Sequence, residues 1–282
     1  MRPKPAQAQK PAGKFPVKKH LGQNFLVDPN ITRKIIAACE LKLTDTVLEI
    51  GPGQGVLTAE IAQRVRQVIA VETDRDLCHH LTQKFEDQNV TIVHADFLKY
   101  DLSGLPTQVK VIGNLPYYIS SAIIDKILKA REQFVGLWIT VQTEFARRLN
   151  AKPDTKDYSS LSCFVQYYAA PQILFEIKRT CFHPIPKVDS SFVKLLFQDR
   201  FPLKAEDEHA LFVIIRHAFQ QRRKNILNAL SNLFDKKNLM AVLETLKLSP
   251  TARAENLRLS DYVLLSNAMA KGLRVDRTQR VR

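Results

Sequence analysis

No apolar run in this 282-residue chain approaches the roughly 18 residues that a membrane-spanning helix requires, so a transmembrane segment is excluded and no membrane partner is expected. The N-terminus also lacks the apolar segment of a secretory signal, and it is rich in Pro and Lys rather than Arg and Ser. A cytoplasmic location is therefore expected. Cysteine is sparse: Cys39, Cys78, Cys163 and Cys181 are far apart and form no C-x-x-C pair. This spacing gives neither a zinc site nor a disulfide framework, so buried free thiols are expected and no metal is implied. Acidic residues are missing from residues 1–27, which hold six cations: Arg2, Lys4, Lys10, Lys14, Lys18 and Lys19.

The net charge of +14 is unevenly distributed. Residues 196–282 hold 16 basic and 9 acidic residues, whereas residues 28–195 are nearly balanced with 20 basic and 19 acidic. A near-neutral body with two basic ends is the charge layout of a polyanion binder, and it points to nucleic acid.

Residues 1–16 read as a disordered basic arm, rich in Pro, Ala, Gln and Lys and without periodicity. From Thr46 onward, short apolar strands alternate with amphipathic helices. Strands are expected at 47–50, 67–72, 90–94, 109–113 and 135–141. Helices are expected from about 56 to 66, at 75–86, at 120–131 and near 143–150. This alternation predicts a mostly parallel α/β sheet with helices on both faces, and the late runs 172–179 and 191–197 suit an antiparallel edge. Composition shifts near Asp199. Helical periodicity over 206–272 suggests four helices, hence a sheet domain over 17–198 and a small all-α region over 199–282.

Three features fall at the ends of expected strands. Gly51-Pro52-Gly53-Gln54-Gly55 follows the first strand and lets backbone approach a ligand closely. Its third glycine comes one residue too early for the dinucleotide fingerprint G-x-G-x-x-G, which disfavours a pyrophosphate ligand. Glu72 ends the second strand about 20 residues further on, where an acid can accept both hydroxyls of a ribose; a helix-capping role is the competing reading, although Asp74 could fill it. Asp96, after the third strand, can accept from an adenine amine with Phe97 beside the base. Together these describe one adenosine-containing cofactor lying across the carboxyl edge of the sheet. Without a phosphate site, S-adenosylmethionine fits better than NAD.

The fourth strand ends in Asn114-Leu115-Pro116-Tyr117. A side-chain amide, a stiff proline turn and an aromatic ring can hold a flat, amine-bearing heterocycle by its edge and face. The expected chemistry uses the Asn114 oxygen and a main-chain carbonyl, that of Leu115, to accept from the two N–H groups of an exocyclic amine. This draws the nitrogen's lone pair out of the ring and aims it at an activated methyl group, so positioning takes the place of a dedicated base.

These motifs together resemble the ribosomal small-subunit RNA adenine N6,N6-dimethyltransferases, from about Lys18 to Met269. Lys19-His20-Leu21-Gly22-Gln23-Asn24-Phe25-Leu26 is similar to that family's opening motif, and the resemblance implies that Asn24 and Leu26 touch the cofactor's methionine part. Gly51, Gly53, Glu72, Asp96, Phe97 and Asn114 would complete the cofactor site on a Rossmann-like methyltransferase sheet. Phe182-His183-Pro184-x-Pro186 resembles the family's later target-base motif and would put Phe182 on the face of the adenine opposite Tyr117. Ala218-Phe219-Gln220-Gln221-Arg222-Arg223-Lys224-Asn225-Ile226-Leu227 looks like the basic helix of the small-subunit enzymes, with Arg222, Arg223 and Lys224 as phosphate contacts, joined by Lys18 and Lys19 just after the arm. One departure is Tyr118, where asparagine is common. The resemblance implies a monomer acting on two adjacent adenosines in a hairpin loop near the 3′ end of small-subunit rRNA, within an assembling 30S-type particle. A large-subunit rRNA methylase, a DNA adenine methylase and an assembly factor acting mainly by binding are the competing readings.

Overall fold

Apolar strands buried on both faces fix the architecture. The computed structural model describes residues 16–18, 21–197 and 203–269. The strands are β1 (Phe25–Leu26), β2 (Thr46–Ile50), β3 (Gln67–Glu72), β4 (Val90–His94), β5 (Val109–Asn114), β6 (Phe134–Gln142), β7 (Ala169–Ile177), β8 (Phe182–His183) and β9 (Ser190–Phe197). Seven of them form one sheet in the order β4-β3-β2-β5-β6-β9-β7, while β1 and β8 pair separately. The five from β4 to β6 are parallel, and β9 runs antiparallel to both β6 and β7. The expected mostly parallel sheet with an antiparallel edge is what the chain forms.

Along each central strand the side chains alternate between two cores, as a period of two requires. Leu48, Ile50, Ile69, Val71, Val109 and Val111 face one apolar cluster; Val47, Val68, Ala70 and Ile112 face the other. The second cluster takes residues from α1 (Pro29–Ala38) and α2 (Val56–Ala62). The first takes α4 (Ser120–Lys129), α5 (Thr143–Leu149) and α6 (Ser160–Tyr168). It continues without a break into α7 (Glu208–Gln220), α8 (Ile226–Ala229), α9 (Lys236–Thr245) and α10 (Leu259–Met269). Edge-on rings at the junction, Phe164 to Phe212 at 5.1 Å and Tyr167 to Phe212 at 5.5 Å, seat the helical region against α6. The remaining helix, α3 (Arg75–Lys84), follows β3.

Four α-helices lie among the described residues after 203, the number expected there. The arm 1–15, the junction 198–202 and the tail 270–282 lie outside the described residues. Two helices had not been expected. α1 starts where Asp28 accepts from the amides of Asn30 and Ile31 with Pro29 opening the first turn; α6 starts with a reciprocal Ser159–Ser162 capping box. One expected helix is shorter, because α2 ends at Ala62 rather than near Arg66. The Asn89 amide explains this by donating to the carbonyls of Ala62 at 3.0 Å, Val65 at 2.8 Å and Arg66 at 3.3 Å, satisfying the groups a helix end leaves free. No helix among the described residues is long and apolar enough to cross a membrane.

Candidate active site

Parallel register brings the strand ends level. Ile50 pairs with both Val71 and Gly113, Glu72 pairs with His94, and Asn114 with Thr140. The carboxyl ends of β3, β2 and β5 therefore stand side by side where the strand order turns back on itself, the crevice in which such sheets bind ligands. A cavity of about 320 Å³ opens there, and its walls include Asn24, Gly51, Gly53, Glu72, Asp96, Phe97, Asn114, Leu115, Pro116 and Tyr117.

The glycine loop bends as no β-carbon-bearing residue readily would. Gly51, Gly53 and Gly55 have φ of +66°, +58° and +73°. A Cβ on Gly55 would fall 2.7 Å from Leu81 Cδ2 and 2.9 Å from Phe85 Cε2. Lys84 braces the turn by donating to the carbonyl of Gln54 at 2.9 Å.

Glu72 is buried and accepts from three backbone amides: Thr73 and Asp74 at 2.9 Å each, and Gly53 at 3.1 Å. Burial nevertheless raises its pKa, with the three amides pulling the other way. These bonds tie the end of β3 to the glycine loop. Asp74 takes the helix-capping role, accepting from the Asp76 amide at 3.0 Å, and so leaves Glu72 to the cavity. Asp96 is exposed at the rim, its carboxylate held by the Leu98 amide at 2.9 Å. Phe97 is buried beside it. Sequence reasoning missed the residue that braces this segment. Lys126 of α4 donates to the carbonyls of Phe97 and Leu98 at 2.9 Å each and to that of Tyr100, with its ammonium over the Phe97 ring. Its sequence signal was only a lysine on a helix face, indistinguishable from a solvated one.

Asn114 Nδ2 donates to the main-chain oxygen of Asn24 at 2.8 Å. A carbonyl can face only the NH₂ end of an amide, so this contact fixes which way round the group sits and leaves Oδ1 as an acceptor. Tyr117 shares a hydrogen bond of 2.7 Å with the buried Ser190 hydroxyl, which pins its ring at the cavity wall. Tyr118 is 64% exposed at the mouth. Among the described residues, no His, Lys or Cys lines the cavity.

Several expected site residues are placed elsewhere. The Leu26 side chain is buried in the second core rather than on the cavity wall; in the alternation of β1 it is Phe25 that reaches the cavity wall, its ring packed against Gly53. Phe182 pairs with Leu26 in the β1–β8 ladder and is 2% exposed in that same core, not on the cavity wall opposite Tyr117. Lys18 is an ion-pair partner of Asp74 at 2.6 Å and Asp76 at 2.8 Å rather than a free phosphate contact. Lys19 lies outside the described residues. The basic triad occupies the turn between α7 and α8, not a helix. There Arg222 is engaged with the Lys156 carbonyl at 3.3 Å and Glu255 at 3.4 Å, and Arg223 and Lys224 project into solvent.

A glycine loop, a buried acid and a rim acid on adjacent ends of a doubly wound sheet define an S-adenosylmethionine-dependent methyltransferase of Rossmann-like fold. The family model for ribosomal RNA adenine dimethylases matches residues 14–271, and the chain belongs to that family. It is 42% identical over 265 residues to the ribosomal RNA small subunit methyltransferase A of Moorella thermoacetica, covering 89% of this chain and 92% of the relative. The protein of that name from Geobacillus sp. is 40% identical over 269 residues, covering 90% and 92%. Among solved structures, a dimethyladenosine transferase from Plasmodium falciparum superposes with a TM-score of 0.76 at 28% identity, covering 87% of this chain and 97% of that one. The 23S rRNA methyltransferase ErmE superposes at 0.70 with 29% identity, covering 88% and 100%.

Proposed function

We propose that this protein transfers methyl groups from S-adenosylmethionine to N6 of two adjacent adenosines in a hairpin loop near the 3′ end of small-subunit rRNA. It does so as a cytoplasmic monomer acting on an assembling small-subunit particle. The oriented Asn114 amide carries this reading: its nitrogen is committed to the Asn24 carbonyl, which leaves an oxygen acceptor beside an aromatic ring and a glycine loop. The names of the relatives, small-subunit methyltransferases at about two-fifths identity, support the choice of RNA.

The cavity suits the cofactor. The buried Glu72 carboxylate has acceptor capacity beyond its three amide bonds for ribose hydroxyls. Asp96 and Phe97 offer an acceptor and an apolar flank for the adenine, Gly51 and Gly53 allow close backbone approach, and Asn24 stands on the methionine side. When bound, S-adenosylmethionine supplies a sulfonium methyl as the electrophile. The chain's own part is to position the other reactant. Asn114 Oδ1 and the Leu115 carbonyl accept from the two N–H groups of the target amine, pulling its lone pair out of conjugation. Pro116 stiffens the turn between them, and the Tyr117 ring, held by Ser190, offers the stacking face. Acceptors suffice because the amine becomes acidic only after it gains a methyl group, and its proton then leaves to solvent.

A base inside a helix cannot reach such a cavity, so unpaired RNA is the substrate. Arg223 and Lys224, with the basic ends of the chain, grip its backbone. The reading is tested by offering purified small-subunit particles and large-subunit RNA side by side with labelled donor. Label confined to the large-subunit RNA, the substrate in the name of one structural neighbour, would overturn the choice of target.

A further inference from the structure

Residues 21–26 form a strap that walls one side of the cavity, and both of its ends are fastened. At the far end, β1 pairs with β8 and the Val27 amide donates to the Cys181 carbonyl at 2.9 Å. At the near end everything converges on Asp74. Lys18 Nζ donates to Asp74 Oδ1 at 2.6 Å and to Asp76 Oδ2 at 2.8 Å, while Gln23 Nε2 donates to Asp74 Oδ2 at 2.8 Å. The Lys18 amide closes the cycle on Gln23 Oε1, also at 2.8 Å. Between the two fastenings, Asn24 presents the carbonyl that fixes the Asn114 amide. Gly22 lies so close to Tyr118 that a Cβ would meet its ring at 3.0 Å.

Asp74 is two residues beyond Glu72 and belongs to the cofactor side of the cavity; Asn114 belongs to the target-base side. The strap joins the two. We propose that Lys18, Gln23 and Asp74 form a latch that seats this strap, and that through Asn24 the latch sets the orientation of Asn114. They are positioning residues: Lys18 and Asp74 stand off the cavity wall and Gln23 lines it while its side chain is engaged with the other two, and the proposal rests on the reading of the cavity as a methyl-transfer site.

The test uses the full chain and three variants: Lys18→Met, which keeps the aliphatic stem, Lys18→Arg and Gln23→Ala. Cofactor affinity is measured by calorimetry, kcat and KM with small-subunit particles, and hydrogen exchange of residues 21–27 without cofactor. Lys18→Met is expected to weaken cofactor binding by roughly three- to tenfold, the scale of one net hydrogen bond, and to speed exchange of the Val27 amide. It should also lower kcat with KM for the particle unchanged, whereas Lys18→Arg stays near wild type. If Lys18→Met fails to fold, Gln23→Ala, which keeps the ion pairs, is expected to give the same changes in smaller measure. Unaltered affinity and exchange would overturn the latch. So would a fall of about one in the salt slope of RNA binding with cofactor affinity intact, which makes Lys18 a phosphate contact. A wild-type protein that bound no S-adenosylmethionine would refute the reading of the cavity instead, and exchange in the cofactor-free chain would still decide the latch.

Discussion

Asn114 is a single amide whose two ends do different work: the nitrogen holds the strap, and in the proposed mechanism the oxygen accepts from the target amine. Asn114→Ala removes both, and the rate is expected to fall by about 10²–10³-fold, the scale of losing one preorganised polar contact at a reacting group. Cofactor affinity should drop but stay measurable by calorimetry; methylation at the wild-type rate would refute the role. A different residue governs the response to pH. Glu49 on β2 is 1% exposed, its Oε2 has no hydrogen-bond partner among the described residues, and burial pushes its pKa up to about 7. The folded value lies above the unfolded one. Its contribution to stability is thus complete only below the unfolded pKa of 4.5 and is lost as pH rises through about 7. Glu49→Gln abolishes this titration. The gain in unfolding free energy of the variant over wild type should grow by ~1–3 kcal/mol between pH 5 and pH 8, read by denaturant titration. A constant difference would show that Glu49 is not the titrating group.

At the scale of elements, the site is a set of strand ends held by short braces. The Lys126 brace on α4 links the segment after β4 to the helix that follows Tyr117. Lys126→Met should loosen Asp96 and weaken cofactor binding several-fold while leaving RNA binding unchanged, a split that calorimetry and filter binding can separate. Gly55→Ala is expected to cost about 1–3 kcal/mol in thermal or chemical unfolding, since its φ of +73° and the buried Leu81 leave no room for a methyl group. The strand ends could be read from the sequence because every central strand is an apolar run closed by a glycine, an acid or an amide, and parallel pairing lines those residues up. The braces could not. Asp74 is 56 residues from Lys18, and nothing local distinguishes an ion-paired lysine from a solvated one. The burial of Leu26 and Phe182 in the core is not legible in the sequence for a related reason. Their direction follows from a two-residue ladder between segments far apart in sequence, and a shift of one position turns a cavity residue into a core residue. The start of α1, by contrast, is legible in Asp28-Pro29, a capping acid followed by a proline in the first turn.

For the whole molecule, one apolar cluster runs from the sheet into the C-terminal helices, so continuous packing joins the sheet that carries the cavity to the helices that carry the basic turn. The segment 152–158 reinforces the joint: the Asp154 amide donates to the Glu255 carbonyl at 2.9 Å, and Arg222 reaches the Lys156 carbonyl. The basic triad therefore divides by role. Arg223→Ala and Lys224→Ala should each lower the salt slope of RNA binding by about one, with unfolding unchanged. Arg222→Ala should lower the melting temperature and leave that slope nearly intact. The most direct test of the central claim is mass spectrometry of small-subunit rRNA after incubation of unmethylated particles with this protein and labelled S-adenosylmethionine. The account expects N6,N6-dimethyladenosine at two adjacent positions in a 3′-terminal hairpin loop, and none with Asn114→Ala. RNA without label on any adenine, or equal label with the variant, would contradict it.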